Sequence, residues 1–494
     1  CLISAAGTGK TTVTKQIVKE LENFVPTIDI NRAKLNKEKD IPPEYNVAIC
    51  FCAFTGRAVQ QMKRPLPRAY HPLCNTIHAT LGYAPVYETY YDDKERIYKE
   101  KMIFRPTFTA SNKLPFKICI VDEAGMVPIR LWNELIAALP SDVKIILIGD
   151  INQLPPVQGR SVLGFAMLNW PTYTLEHIHR QAAGNPIIAN AHNILRGLYP
   201  AKDPKKFAML GLPDGSIAAQ NKLIGVIQQL HKRDLFDPFL DALIVPQNTD
   251  NLGQIALNER LVQYFNKPRE VEGILVNRRY IITAGYIHVA FAVGDKVMLL
   301  QNDRARELTN GMIGRVVSIN VNGRYDGNKS DHSQVKFDGD IDMDLSKIND
   351  ATTLVEEKTE DISQRQASHI MVVEFGDADR GMEVTFATAG QFKIVTLAYA
   401  FTCHKSQGGE YRNVVICIHA SNIRMLTREW LYTAVTRARE RVILLANDRG
   451  LAQAINVQRI KGRTVAEKAK QFLELQDRKD TALPILPEPE LMEV

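Results

Sequence analysis

The sequence predicts an α/β protein of two units, each built on a parallel sheet and each interrupted by an insert. Three observations lead there. First, residues 1–3, 47–54, 117–121 and 143–148 are short apolar runs, each followed by a Gly- or Asp-bearing turn and then an amphipathic stretch, which is the rhythm of a buried parallel sheet. Second, the rhythm returns at 241–245, 393–399, 413–418 and 441–445. Third, two stretches break it. Residues 81–116 are charged and aromatic, with Tyr83, Tyr87, Tyr90, Tyr91, Tyr98, Phe104 and Phe108, and read as an inserted hairpin. Residues 311–390 are rich in Gly, Asp and β-branched residues, with strands expected at 315–319 and 334–337 and a turn at 325–328, and read as a small inserted β-barrel.

At 494 residues the chain is too long for one core. It holds 61 Lys+Arg against 55 Asp+Glu, a formal +6 that permits nucleic-acid binding without arguing for it. No apolar run reaches the length needed to cross a bilayer, so no membrane role is expected. The seven cysteines (Cys1, Cys50, Cys52, Cys74, Cys119, Cys403, Cys417) are odd in number and without Cys-x-x-Cys pairs, which points away from zinc and disulfides and towards a reducing, intracellular setting. Cys50 and Cys52 read as alternate residues of a buried strand. The chain opens in mid-strand at Cys1 with no targeting segment and reads as lacking its natural start; a charged helical stretch after 463 leads into Pro484, Pro487 and Pro489.

Ser4-Ala5-Ala6-Gly7-Thr8-Gly9-Lys10-Thr11 follows a strand and precedes an amphipathic stretch that opens with Thr12, the context a phosphate loop requires. Backbone amides of the Gly-rich turn and the helix N-terminus favour an anion there. Lys10 would bond the β- and γ-phosphates, and Thr11 would ligate Mg²⁺. Ser4 stands where the usual pattern has its first Gly, and would be costly if that position required positive φ. Ile118-Cys119-Ile120-Val121-Asp122-Glu123 supplies a buried strand ending in two carboxylates, Asp122 to hold Mg²⁺ and Glu123 to polarise the attacking water. Gly149-Asp150-Ile151-Asn152-Gln153-Leu154-Pro155-Pro156-Val157 presents Gln153 at a strand edge, where an uncharged amide can sense the γ-phosphate.

This last segment resembles motif III of superfamily 1 helicases, and the similarity to the RecD/Dda-type branch runs in motif order from about Cys1 to Asn447, with the inserts poorly matched. Phe54-Thr55-Gly56-Arg57-Ala58 resembles motif Ia, and Thr76-Ile77-His78 a following DNA-contact motif. A Thr-Gly turn before a helix is also a common N-cap. Leu175-Glu176-His177-Ile178-His179-Arg180-Gln181 resembles motif IV, Ala400-Phe401-Thr402-Cys403-His404-Lys405-Ser406-Gln407-Gly408-Gly409-Glu410 motif V, and Tyr432-Thr433-Ala434-Val435-Thr436-Arg437-Ala438-Arg439 motif VI. The segments at 293–298 and 310–314 resemble the family's lead-in to its small barrel, with glycines making turns.

The resemblance implies two RecA-like P-loop motor domains: 1–80 with 116–183, and 184–312 with 391–463. It also implies a pin-like hairpin at 81–115, an SH3-like β-barrel at 313–390 and a helical, Pro-rich tail at 464–494. It implies nucleotide contacts from Ala6, Gly7, Thr8, Gly9, Lys10, Thr11, Thr12, Gln407, Gly408 and Glu410, with Arg180 and Arg437 reaching the γ-phosphate. DNA would meet Thr55, Gly56, Arg57, Thr76, His78, Thr402, His404 and Ser406. The implied protein is a cytoplasmic, bacterial or phage-encoded ATP- and Mg²⁺-dependent helicase moving 5′-to-3′ on single-stranded DNA, acting at duplex junctions, with single-stranded-DNA-binding or replication and recombination proteins as partners. Polarity is established by no residue alone. The family's Gln-bearing adenine motif has no counterpart before Ser4. Two rival readings are a P-loop ATPase or kinase indifferent to nucleic acid, and a binding module with a decayed site.

Overall fold

The computed structural model describes all residues except 6, 7, 9, 23–48, 93–96, 157–160, 176–183, 272–273, 285–286, 304–305, 307, 325–364, 377–380, 463–466 and 469–494. The strand expected at 334–337 and the turn at 325–328 therefore lie outside the described residues. Two compact units are formed, one from Cys1–Ala201, Thr427–Thr436 and Ile455–Val494, the other from Lys202–Leu426 and Arg437–Ala454. Residues 184–201, 427–436 and 455–462 thus pack with the first unit, whereas the sequence reading groups them with the second motor domain.

In the first unit, β1 (Leu2–Ser4), β2 (Ile49–Ala53), β3 (Cys74–Thr76), β6 (Ile118–Asp122), β7 (Lys144–Gly149) and β8 (Tyr173–Leu175) form a parallel sheet in the order β3-β2-β6-β7-β1-β8. Between β3 and β6 the chain forms β4 (Ala84–Asp92) and β5 (Ile97–Arg105). The sheet is covered on both faces, which is why its strands read as continuous apolar runs. Cys50, Cys52, Cys119, Val121 and Leu147 share one core, and Ile49, Phe51, Ile118, Ile120 and Ile148 the other. Cys50, Cys52 and Cys119 bring their sulfurs within 4.8 Å of one another in the first of these cores. Burial pushes the Cys50 thiol well above its ordinary range, so it packs as a neutral apolar group.

The strands β4 and β5 pair antiparallel from Ala84↔Arg105 to Asp92↔Ile97. Strand pleating puts Tyr87, Tyr91, Tyr98 and Phe104 on one face of this ribbon. All four rings are solvent-exposed, and the Tyr91 and Tyr98 rings meet edge-on at 5.1 Å.

The second unit has its own parallel sheet. Its strands are β9 (Phe207–Gly211), β10 (Ala242–Val245), β20 (Ala400–Thr402), β21 (Tyr411–Ile418) and β22 (Ala438–Ala446), in the order β20-β10-β21-β22-β9. Helices Ser216–Lys232 and Gln254–Phe265 supply Leu223, Ile227, Leu257 and Leu261 to the core on one face of it. Between β10 and β20 the chain builds two ribbons and a second sheet. The ribbons are β11 (Arg269–Val271) with β12 (Ile274–Val276), and β13 (Tyr280–Ala284) with β14 (Ile287–Phe291). The sheet is antiparallel, from β15 (Lys296–Leu299), β16 (Ile313–Val321), β17 (Gln366–Phe375), β18 (Met382–Thr388) and β19 (Val395–Leu397), in the order β18-β17-β16-β15-β19.

One expected strand is corrected here. Residues 393–399 do not join the parallel sheet: Val395–Leu397 pairs antiparallel with β15, and the parallel strand is the next segment, β20. A single apolar run is divided between two sheets. Gly314 is not a turn residue either; it lies within β16, where a Cβ would come 2.5 Å from Val373 Cγ1.

Buried charges anchor this unit. Asp241, fully buried, accepts from Arg412 Nε and Nη2 at 3.0 and 2.7 Å and from the Asn413 and Asp237 amides at 2.9 and 2.7 Å. Asp295 accepts from both terminal nitrogens of Arg279 at 2.9 and 3.0 Å and from Asn266 at 2.7 Å. Lys296 donates to the Pro238 and Asp241 carbonyls and stands 5.7 Å from the Phe401 ring. No helix among the described residues is long and apolar enough to cross a membrane.

Candidate functional site

The helix Lys10–Glu22 begins where the turn after β1 ends. Ser4 belongs to β1, buried, and is absent from the described residues with positive φ, so its substitution for Gly carries no backbone cost. Thr8 closes the turn by donating from Oγ1 to the Ala5 carbonyl at 2.9 Å. Lys10 Nζ lies 2.9 Å from Glu123 Oε1 and 3.3 Å from Asp122 Oδ1. Asp122 ends β6, and Glu123 turns the chain through a left-handed conformation at φ 50° and ψ 39°, rare for a residue with a Cβ. The Glu123 amide donates back to Asp122 Oδ1 at 2.8 Å. Burial opposes the Lys10 charge, but Asp122 and Glu123 outweigh it and hold the ammonium above its ordinary range. Burial raises Asp122, with Lys10 pulling the other way.

Strand β7 leads into the loop that carries Gln153. Gly149 is forced by close packing, since a Cβ there would lie 2.8 Å from Leu163 Cδ2 and 3.1 Å from the Gly125 amide nitrogen. Asp150 is buried, and its Oδ1 accepts from the Asn152 amide at 2.9 Å while Oδ2 accepts from Tyr432 Oη at 2.7 Å. The Leu154 amide donates to Thr433 Oγ1 at 2.9 Å, and Lys468 Nζ donates to Asn152 Oδ1 at 2.7 Å. These partners lie hundreds of residues downstream, and sequence reasoning missed them. Tyr432 and Thr433 sat inside a motif read only for its arginine, and Lys468 carried no signal.

Of the remaining expected nucleotide contacts in this unit, Thr12 is exposed on the helix. Ala6, Gly7, Gly9 and Arg180, and the side chain of Thr11, lie outside the described residues. Thr55 and Thr76 are N-caps, accepting from the Ala58 and Ala79 amides at 3.2 Å each. A cap uses an oxygen lone pair and not the hydroxyl proton, so it does not compete with donation to a phosphate. Gly56 opens the helix Gly56–Lys63, with Arg57 half-buried beside it. His78 packs edge-on to Tyr83 at 5.1 Å.

The second unit assembles the other expected residues. Arg437 is buried, and its Nη1 donates to the Gly409 carbonyl at 3.3 Å, which brings it against the loop carrying Gln407 and Gly408. Gly408 is at φ 71° and Gln407 is buried. Glu410 is exposed and takes Arg439 Nε and Nη2 at 2.9 and 2.8 Å. Thr402 stands at the N-terminal boundary of the turn Cys403–Ser406 without a side-chain capping bond, and His404 is half-buried on it. Ser406 is fully buried and gives its hydroxyl proton to the Cys403 carbonyl at 2.7 Å.

A strand, a turn, a helix opening on lysine and a carboxylate pair closing another strand of the same sheet, one strand removed, have the arrangement of a P-loop nucleotide site. Residues 1–159 match the AAA domain family, and residues 397–445 match the UvrD-like helicase C-terminal domain. The chain is 27% identical over 445 residues to a protein named ATP-dependent RecD2 DNA helicase from Deinococcus radiodurans, a match covering 89% of this chain and 46% of that protein. It is 24% identical over 462 residues to RecBCD enzyme subunit RecD of Buchnera aphidicola, covering 88% of this chain and 68% of the relative. The crystal structure of Pif1 helicase from Candida albicans aligns over 96% of this chain and 94% of its own at 17% identity and TM-score 0.47, too loose a likeness to add to the fold seen directly. Over most of its length this chain is similar to RecD-like superfamily 1 helicases. It spans less than half the length of the first relative.

Proposed function

We propose that the chain is an ATP-dependent DNA helicase motor that travels on single-stranded DNA, 5′-to-3′, and separates duplex at junctions. The observation that carries this reading is the cluster of Lys10 with Asp122 and Glu123, in a chain related over most of its length to a protein named as an ATP-dependent DNA helicase. Lys10 exchanges its carboxylate partners for the β- and γ-phosphates of ATP. Glu123 accepts the proton of the water whose oxygen attacks the γ-phosphorus, and ADP carries away the electrons of the broken P–O bond. The half-buried carboxylates suit a hard cation, and Asp122 with Thr11 would hold Mg²⁺. When bound, the ion neutralises phosphate charge. Gln153 senses the γ-phosphate, while Arg180 and Arg437 complete the charge balance from motifs IV and VI.

The two parallel-sheet units act as RecA-like motor domains in this reading, the antiparallel sheet of β15 to β19 belongs to an SH3-like barrel, and the β4–β5 ribbon is the strand-separating pin. Its row of exposed rings offers stacking surface to unpaired bases. Thr55, Gly56, Arg57, Thr76, His78, Thr402 and His404 meet the phosphodiester backbone without reading sequence. Replication or recombination proteins are the partners that fit.

A nucleic-acid-independent ATPase is the second reading, favoured by the burial of Ser406. Phosphate release with and without single-stranded DNA, followed by unwinding of forked duplexes bearing a 5′ or a 3′ tail, separates the two. Turnover indifferent to DNA supports the ATPase alone, and unwinding from the 3′ tail reverses the polarity.

A further inference from the structure

The loop that carries Gln153 is held by side chains the motor chemistry does not use. Tyr432 Oη, Thr433 Oγ1 and Lys468 Nζ bond Asp150, Leu154 and Asn152, at 2.7, 2.9 and 2.7 Å, so the anchors fall on both sides of Gln153. All three anchoring residues are nearly or fully buried, as is Asp150. Buried polar groups cost desolvation that plain packing avoids, and apolar residues of similar volume would fill the space as well. Three such groups converging on five residues point to precise placement. Tyr432 and Thr433 stand on the eight-residue helix Arg428–Val435, about 12 Å long, which runs into Thr436 and then Arg437. The helix packs on Pro186–Leu195 in the first unit.

We infer that Tyr432, with Thr433 and Lys468, is a positioning residue: it holds the Asp150–Leu154 loop so that Gln153 meets the γ-phosphate, and ties the posture of that loop to the helix leading to Arg437. The inference rests on the motor reading above. In this reading none of the three touches nucleotide; all act through the loop. Tyr432→Phe removes one hydroxyl from a buried site and nothing else.

The test is a double-substitution cycle on ATP turnover at saturating single-stranded DNA, using the full chain. Tyr432→Phe should lower kcat about tenfold and leave KM for ATP within about threefold, the split expected when a group acts in the transition state. In a Gln153→Ala background the same substitution should cost less than about twofold, because the residue being positioned is gone. An equal loss in both backgrounds, or none in either, overturns the proposal. Thr433→Val with Thr433→Ser gives a second route should Tyr432→Phe fail to fold: the valine should reproduce the loss and the serine restore turnover, and equal activity of the two overturns the proposal. A parent that ignores DNA sinks the motor reading instead, which the cycle distinguishes because its first measurement is the parent's own DNA-stimulated rate.

Discussion

Replacing Lys10 by Met removes the cation from between two carboxylates without changing the volume of the side chain much. At 2.9 and 3.3 Å, and with an effective dielectric of about 20, each contact is worth roughly 5 kcal/mol before desolvation is counted. Burial takes back most of that gain, and removing one partner from a fully buried pair costs about 3–5 kcal/mol. Side-chain exposures of 22%, 15% and 14% for Lys10, Asp122 and Glu123 admit some water, so the loss should fall at the low end, about 2–3 kcal/mol. In a unit of this size that is a melting shift of roughly 4–10 °C. The carboxyl groups then repel without a counter-charge, which lifts their folded-state pKa above the unfolded one. A raised carboxyl contributes stability that is present in acid and lost as pH rises through the folded value, so the deficit of Lys10→Met should shrink between pH 8 and pH 5. ATP turnover should fall at least about 10³-fold, since the cation that offsets the charge of the transferring phosphoryl group is lost. Thermal melts at both pH values, with phosphate release at saturating single-stranded DNA, check all three. A variant that melts like the parent at pH 8, or keeps more than a tenth of its turnover, refutes the account of this cluster.

Other sites answer to similar tests. Asp241→Ala should destabilise by about 3–5 kcal/mol by stranding the buried side of Arg412, while Glu410→Ala, at an exposed pair, should stay within about 0.5 kcal/mol; chemical denaturation compares them. Gly149→Ala should cost about 2–3 kcal/mol and lower turnover, because its Cβ meets backbone nitrogens at 3.1 and 3.3 Å that cannot withdraw cheaply. Burial holds the Asp150 carboxyl above its usual range, so Asp150→Asn should melt no lower than the parent at pH 8 and lose that advantage on acidification; a constant difference across pH would show that Asp150 does not titrate this way. Tyr87, Tyr91 and Tyr98 replaced together by Ala should leave the melting temperature and DNA-stimulated hydrolysis unchanged but slow the unwinding of forked duplex, as measured by strand-displacement fluorescence.

Much of the parallel framework was legible because both faces of each sheet are covered. Strands such as Ile49–Ala53 and Tyr411–Ile418 then contain uninterrupted apolar runs that need no partner to be recognised. The run at 393–399 misled for the same reason, since hydrophobicity along the chain does not say which sheet a strand joins. Phe207–Gly211 was missed as an edge strand whose last two residues are exposed. At the site, Lys10, Asp122 and Glu123 were legible through spacing and residue type, and they do meet. Tyr432 and Thr433 were not, because every residue from Glu429 to Val435 is buried and no periodicity marks which of them are polar anchors. The burial of Ser406 was not legible either, because polarity suggests exposure whereas its hydroxyl closes its own turn.

The segment Thr427–Thr436 has a consequence for biosynthesis. The first lobe takes its last inner helix from a stretch of chain that emerges more than 200 residues after Ala201. At ribosomal rates of about 5–20 residues per second, the nascent lobe waits on the order of ten to fifty seconds with the seat of Trp430 and Tyr432 uncovered. A gene fragment ending near 201 should therefore yield an insoluble or chaperone-bound product, and co-expression of a peptide spanning 427–436 is the rescue that would reveal why.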